Sequence, residues 1–380
     1  MAKLKDIAER LGVSISTVSR AISGDRTRPV SEETKRRVLD AARELGYPLQ
    51  GGPAHAAGAD RVQLACILPG GLMGHHPYFT AVLEGFHRKL EELGQPPALM
   101  RASEELREPG RLASMLEESG TRGVLALSWY DSRLYGQLAA AGVPIVGVSL
   151  NDESIFGVPI VDCDRLAAAR LAVRHLQERG HARIGFVGGP AFDRTLERDE
   201  RYIGYKFAML EADRHPDPRW IVNSEWIIEK SYSETLDMLR RLGPAERPSA
   251  IFCASDSLAI PAMRAVIDSG LRIPEDIAFV GMDNIEFAQY TSPPLTSVHV
   301  PREEIGGAAC TFLLDYAQGE HHGARKLLLP CELIVRESSG AAPGGADAEA
   351  AEKSVENGAE RAAESLAERA VEKGAEKAVE

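Results

Sequence analysis

Between residues 62 and 280, short continuous apolar runs alternate with stretches whose apolar positions recur every three or four residues. The runs at 62–68, 124–127, 145–148, 158–161, 183–187, 250–254 and 277–280, with weaker ones near Ala98 and Trp220, predict strands. The periodic stretches predict helices over 78–93, 164–179 and 201–212, one starting at Asp131, and others running to Glu118, Leu242 and Gly270. Apolar strands separated by helices pack as parallel sheets covered on both faces. Roughly ten such strands exceed one doubly wound sheet. The pattern therefore predicts an α/β protein of two lobes, with ligands bound in a cleft beyond the carboxyl ends of the strands.

The first 48 residues carry a different pattern. Ile7, Ala8 and Leu11 share one helical face, Gly12 stops that helix, Val13 plugs the turn, and Ser14 is placed to cap a second helix whose Val18 and Ile22 face back. A third helix is expected after Ser31, with Glu32 and Glu33 in its first turn and Val38, Leu39, Ala42 and Leu45 on its apolar face. Helix, tight turn and helix around one small core make a helix-turn-helix pattern. The second helix would expose Ile15, Ser16, Thr17, Ser19 and Arg20, hydroxyls and a guanidinium suited to phosphates and to base edges in a major groove. Taken singly, Arg20 reads better as a solvated helix charge, and Ile15 has a turn residue of the core as its alternative.

Charge sharpens this division. The 380-residue chain carries a net charge of -12, yet residues 1–50 hold ten Lys/Arg against seven Asp/Glu, and residues 341–380 hold five against ten. Only the N-terminal end suits a polyanion. Gly51, Gly52, Pro53 and Ala54 open a run of small residues and breakers, so residues 49–60 read as a linker. Residues 339–380 read as an acidic tail whose four-residue Ala/Glu repeat forms no fixed apolar seam.

The function classes excluded are broad. No run reaches the roughly 18 apolar residues of a membrane span, and the charged N-terminus lacks the apolar core of a signal peptide, so a cytoplasmic protein is expected. Five cysteines, Cys66, Cys163, Cys253, Cys310 and Cys331, are widely spaced and mostly in apolar runs, which predicts reduced core thiols. Phosphate-binding, nucleophile-elbow and zinc-protease signatures are missing, and His75 and His76 have no further ligands at metal spacing. Neither an enzyme nor a cofactor or metal is expected.

The blocks Val13-Ser-Ile-Ser-Thr-Val-Ser-Arg20 and Val30-Ser-Glu-Glu-Thr-Lys-Arg-Arg-Val38 resemble the DNA-binding domain of the LacI/GalR family of transcriptional regulators. The segments 180–189, 254–259, 273–283 and 292–297 are similar to that family's periplasmic-binding-protein-like effector domain. The resemblance spans residues 3 to about 338 and implies a head at 1–48 and an effector-binding and dimerisation domain at 61–338. It implies that Ile15, Ser16 and Arg20 read bases and that Ser14, Thr17 and Ser19 hold phosphates. The linker departs from the family's Ala-Arg-x-Leu hinge helix, because Ala54 and Ala56 stand where Arg and Leu would be.

By the same resemblance Tyr78 and Phe79 would wall an effector site in the first lobe, with a first-turn core pair as the alternative. Ser128, Trp129 and Ser149 end strands of that lobe, while Arg201, Trp226, Ser255 and Asp283 would face them from the second. Arg201 and Asp283 suit a diol clamp, or an interlobe salt bridge, and Trp226 suits a pyranose face. Asp256 reads as a structural carboxylate. The implied function is a homodimeric, operator-binding repressor of carbohydrate-utilisation genes under a small sugar effector, with a galactoside suggested by the Asp199-Glu-Arg201 and Ser292-Pro-Pro-Leu-Thr296 segments. An activator, a non-sugar or phosphorylated effector, and a stand-alone sugar-binding protein are the competing readings.

Overall fold

The computed structural model describes residues 61–340 except 75, 151–156, 193 and 321–322, and, in the N-terminal part, residues 4–14, 17–18, 30–31, 34, 36–38 and 41–42. The chain divides into two compact units, Met1–Arg61 and Val62–Glu380.

In the first unit, helix α1 (Leu4–Leu11) ends at Gly12, whose φ of 66° is a conformation that costs glycine least. Val13 donates its amide back to the Ala8 carbonyl, closing the turn. Ile7, Ala8, Val18, Val38, Ala41 and Ala42 are buried together, with Leu4, Leu11, Val13 and Val30 packed around them. Three helical stretches thus share one core. Ile22, Leu39 and Leu45 lie outside the described residues, as do residues 49–60 of the linker and 341–380 of the acidic tail, whereas Ser339 and Gly340, read as the start of that tail, are bonded to His175 and His181 and belong to the folded unit.

The second unit contains two six-stranded sheets. The first lobe is built from β1 (Gln63–Leu68), α2 (Pro77–Glu92), β2 (Leu99–Ala102), α3 (Arg111–Ser119), β3 (Thr121–Leu127), α4 (Ser132–Ala140), β4 (Ile145–Val148) and β5 (Ile160–Cys163). The chain then enters the second lobe through α5 (Arg165–Glu178), β6 (Ile184–Gly188), α6 (Glu200–Glu211), β7 (Ile221–Asn223), α7 (Ile228–Arg241), β8 (Ala250–Cys253), α8 (Asp256–Asp268), β9 (Ala278–Asp283) and β10 (Thr296–His299). It returns as α9 (Arg302–Ala317) and β11 (Lys326–Leu329), and leaves again as β12 (Glu332–Ile334). The strand orders are β11-β5-β4-β3-β1-β2 and β12-β10-β9-β8-β6-β7, and the only antiparallel pairing among the described strands is β10 with β12. Twelve strands, two doubly wound sheets and three crossings match the two-lobed α/β architecture expected from the pattern. The chain returns to the first lobe just after β10.

The lobes share one continuous core that runs from Val82, Phe86, Ile305 and Leu313 to Ala172, Phe186 and Phe252. Within the first lobe, α2 and α9 approach at backbone contact. A Cβ on Gly85 would lie 2.0 Å from the Glu303 carbonyl oxygen, and one on Gly306 would lie 1.9 Å from that of Val82. Each glycine leaves the space through which the other helix passes. A methyl group there meets rigid backbone, so the helices must separate. Gly306→Ala is expected to lower stability by about 3 kcal/mol, measured by urea unfolding, with Gly307→Ala, whose Cβ has only a 3.8 Å contact, as the neutral control.

Candidate functional site

In the N-terminal unit the two serines expected to cap helices do so. The Ser14 hydroxyl oxygen accepts the Thr17 amide at 3.1 Å and lies 2.7 Å from the Thr17 hydroxyl. Ser31 accepts the Thr34 amide at 3.3 Å. These caps start the second and third helical stretches, because an N-cap oxygen satisfies an amide left without a partner in the first turn. Ser14 and Thr17 therefore stand at the exposed start of the second helical stretch. Ile15, Ser16, Ser19 and Arg20 lie outside the described residues. Ser31→Ala is expected to cost about 1 kcal/mol of head stability.

The second candidate site is the cleft of the other unit. Four residues expected there have a positive φ, all of them at or just past a strand's carboxyl end: Ser128 at 47°, Ser149 at 60°, Trp226 at 63° and Asp283 at 105°. Glu225 and Asn284 beside them share the feature. Non-glycine residues held in this region cost free energy, and such strain concentrates where a backbone must aim side chains at a ligand.

On the first-lobe side, Asp162 in β5 forms a buried ion pair with Arg165 in the first turn of α5. The Asp162 carboxylate also accepts the amides of Ser149 and Cys163, each at 2.8 Å. Arg165 donates to the Tyr78 hydroxyl at 3.1 Å and to the Ser149 hydroxyl at 3.3 Å. One ion pair thus fixes the ends of β4 and β5 and the start of α2. Burial first, then the Asp162 charge, pushes the Tyr78 hydroxyl well above the usual range, so it stays a neutral donor and acceptor.

On the second-lobe side, Asp199 is completely buried and caps α6 through the Arg201 amide at 3.0 Å. The same carboxylate takes the Arg201 guanidinium in a two-point grip, 3.0 Å from Nε and 2.7 Å from one terminal nitrogen. The guanidinium carbon lies 4.2 Å from the centre of the Trp226 ring, whose indole N–H donates to the Pro190 carbonyl at 2.8 Å. Trp226 is thus a platform for the Arg201 guanidinium. Asp256 accepts the Ile285 amide at 2.9 Å and the Ser297 hydroxyl at 2.7 Å, consistent with a structural carboxylate.

Asp283 links the two sides. Burial pushes its carboxyl up to about 6, while Arg201, Arg302 and Arg165 pull it down and Asp162 pushes it up. Groups of both lobes therefore act on one carboxylate. The lobes also meet through Lys326 and Glu200 at 3.1 Å and through the Tyr130 and Phe192 rings.

The remaining expected residues take other positions. Phe79 is packed in the shared core beside Tyr78, and Trp129 is buried with Leu134 and Tyr135, its carbonyl accepting the Tyr135 hydroxyl at 2.7 Å. Ser255 begins α8 without a side-chain cap. Asp162, Arg165, Asp199 and Arg302 were not anticipated as members of the site. The signal for Asp162 was a carboxylate inside an otherwise apolar strand, Ile160-Val-Asp-Cys163. Among the described residues no group of metal-binding side chains occurs, and no helix is long and apolar enough to cross a membrane.

Because the folded chain holds the Asp283 proton up to about pH 6, it binds more protons than the unfolded chain between about pH 4 and 6. This group's contribution to stability therefore falls as pH rises through that window and is level above it. Asp283→Asn is expected to raise Tm relative to the unsubstituted chain at pH 7 and to lose that advantage by about pH 4. Paired thermal melts across pH check the crossover.

Comparison with known proteins places both units. Residues 3–48 match the model for bacterial regulatory proteins of the lacI family, and residues 173–339 match that of the periplasmic binding protein-like domain. The chain is similar to the HTH-type transcriptional repressor PurR of Aliivibrio salmonicida (strain LFI1238), 31% identical over 343 residues that cover 89% of this chain and 99% of that protein. The structure resembles the transcriptional regulator CelR–cellobiose complex, with a TM-score of 0.66, 31% identity, and coverage of 89% of this chain and 100% of that one. It also resembles the lac repressor dimer bound to operator and the anti-inducer ONPF, with a TM-score of 0.64, 25% identity, and coverage of 90% and 99%. Head, doubly wound lobes and the length of the match agree: the chain belongs to the lacI family of bacterial regulatory proteins.

Proposed function

We propose that this DNA-binding repressor of the lacI family acts as a cytoplasmic homodimer on carbohydrate-utilisation genes, and that a neutral sugar bound between its lobes sets its operator affinity. The observation that carries the reading is the charge balance of the cleft. Arg165 is matched by Asp162 and Arg201 by Asp199, both pairs buried, while Asp283, its carboxyl pushed up to about 6, faces Arg201, Arg302 and Arg165. A phosphorylated ligand would bring further negative charge to arginines already paired. A polyol instead accepts from guanidinium groups and donates to carboxylates without leaving a charge unmatched. The CelR–cellobiose complex supports the class, since a regulator of similar fold binds a disaccharide. A galactoside remains the specific sugar suggested by the sequence segments.

The sugar acts by binding one lobe arrangement more tightly than another, which shifts the spacing of two heads on their half-sites. In the heads, Ile15, Ser16 and Arg20 read bases and Ser14, Thr17 and Ser19 hold phosphates. Ser14 and Thr17, whose hydroxyls are in contact at the start of a helical stretch, suit an anion there. In the cleft, Tyr78, Ser149, Arg201, Ser255 and Asp283 contact the sugar. Ser128 and Trp226 shape the loops around it, while Phe79 and Trp129 back the wall.

The reading is tested by thermal shift against mono- and disaccharides, galactosides and cellobiose included. A ligand at 100 times its Kd adds about 2.7 kcal/mol of stability. Stabilisation by a neutral sugar is expected, lost in Arg201→Ala while operator retention in 150 mM salt persists, a salt level at which roughly micromolar non-specific binding is weak. Stabilisation only by nucleobases or sugar phosphates would transfer the function to the competing effector classes. Arg20→Ala should remove operator preference, costing about 1–3 kcal/mol at its base pair, with the sugar response intact.

A further inference from the structure

The chain passes between the lobes at three places, and two of these carry a cysteine. Cys163 ends β5, where the chain first leaves the first lobe, and Cys331 stands between β11 and β12, where it leaves for the last time. The two strands are neighbours in parallel register with Leu329 opposite Cys163, so Cys331 lies just beyond that pairing. Both side chains join the same apolar core, Cys163 fully inside it and Cys331 half-buried at its margin. The nearness of Cys331, followed by burial, pushes the Cys163 thiol well above its usual range. The other three cysteines are buried within single lobes, and burial pushes the Cys310 thiol up to about 12 and that of Cys66 beyond it.

We propose that Cys163 and Cys331 are a redox-sensitive pair, which peroxide converts into a disulfide that fastens two of the three interlobe crossings. The half-buried Cys331 loses its proton and attacks a peroxide oxygen; the O–O bond breaks, the sulfur becomes sulfenic acid, and water leaves after protonation. The Cys163 sulfur then displaces the sulfenic oxygen as a second water, and the S–S bond forms. Two thiols and one hydrogen peroxide give one disulfide and two waters, with two electrons passing from sulfur to oxygen. Because Cys163 is held as a thiol at neutral pH, the second step quickens as pH rises. Disulfides in reducing compartments are characteristically of this transient, sensing kind. The bond closes a chain loop containing the whole run from α5 to β11 and pins the segments about which the lobes turn. The inference rests on the two-lobed fold and is independent of the effector's identity.

The test uses the full-length reduced protein, treated with hydrogen peroxide in the absence of any ligand. Intact mass should fall by about 2 Da, peptide mapping should join Cys163 to Cys331, and dithiothreitol should restore the original mass. Oxidation should raise Tm by at least about 3 °C and slow amide exchange at 163–165 and 331–332. Cys331→Ser should abolish all four changes. Cys163→Ser should leave a sulfenic acid at Cys331 that dimedone traps. If the buried Cys163→Ser variant does not fold, the half-exposed Cys331→Ser gives the same decision. Sulfinic acid at Cys331 without a cross-link, a cross-link between Cys66 and Cys310 instead, or the expected cross-link with unchanged Tm and exchange would overturn the proposal.

Discussion

A charge taken out of water must be matched where it stands, and the cleft of this protein is arranged around two such matches. Asp162 with Arg165 and Asp199 with Arg201 are buried pairs formed by residues close in sequence, each at a junction where the chain enters a helix. Removing one partner of such a pair costs roughly 3–5 kcal/mol, because the survivor keeps its desolvation cost without its counter-charge. The pairs therefore hold their surroundings in place. The first ties β4, β5 and the start of α2 through Ser149 and Tyr78. The second caps α6 and presses a guanidinium onto Trp226.

Positive φ values at strand ends complete this arrangement. Ser149 and Asp283 adopt backbone conformations that L side chains seldom take, and each is held by neighbours that over-determine it. The Ser149 amide is donated to Asp162, while Asn284 beside Asp283 receives Arg336 at 2.8 Å and has its carbonyl taken by Arg302 at 3.1 Å. Strain at these positions is offset by buried polar contacts, as expected where the backbone is aimed at a ligand. Groups of both lobes thus act on the same few strand-end residues.

Much of this was legible in the sequence, and the exceptions have physical causes. Continuous apolar runs located most inner strands, because a strand buried on both faces has no polar alternation to confuse its reading. Three strands escaped: the inner β10, Thr-Ser-Val-His with a single apolar residue, and the edge strands β11, Lys-Leu-Leu-Leu and largely exposed, and β12, only three residues long, whereas the edge strands β2 and β7 were read as weaker runs. The helix caps Ser14 and Ser31 were readable because capping is a local interaction. That Ser128, Ser149 and Asp283 stand at strand ends was readable from where the apolar runs stop. Asp162, Arg165 and Asp199 were not, since whether a carboxylate is solvated or buried beside an arginine depends on packing from other elements. Trp129 shows the converse, a strand-end residue whose ring is buried against Tyr135.

Arg165 and Arg201 already have their charge matched by Asp162 and Asp199, so a phosphate finds no unpaired partner in either. Isothermal titration calorimetry at pH 7 with one neutral sugar and its phosphate ester decides the matter. The ester is expected to bind at least about 100-fold more weakly, a difference of about 2.7 kcal/mol. Equal or tighter binding of the ester would contradict it, because an arginine would then have to be available to the phosphate.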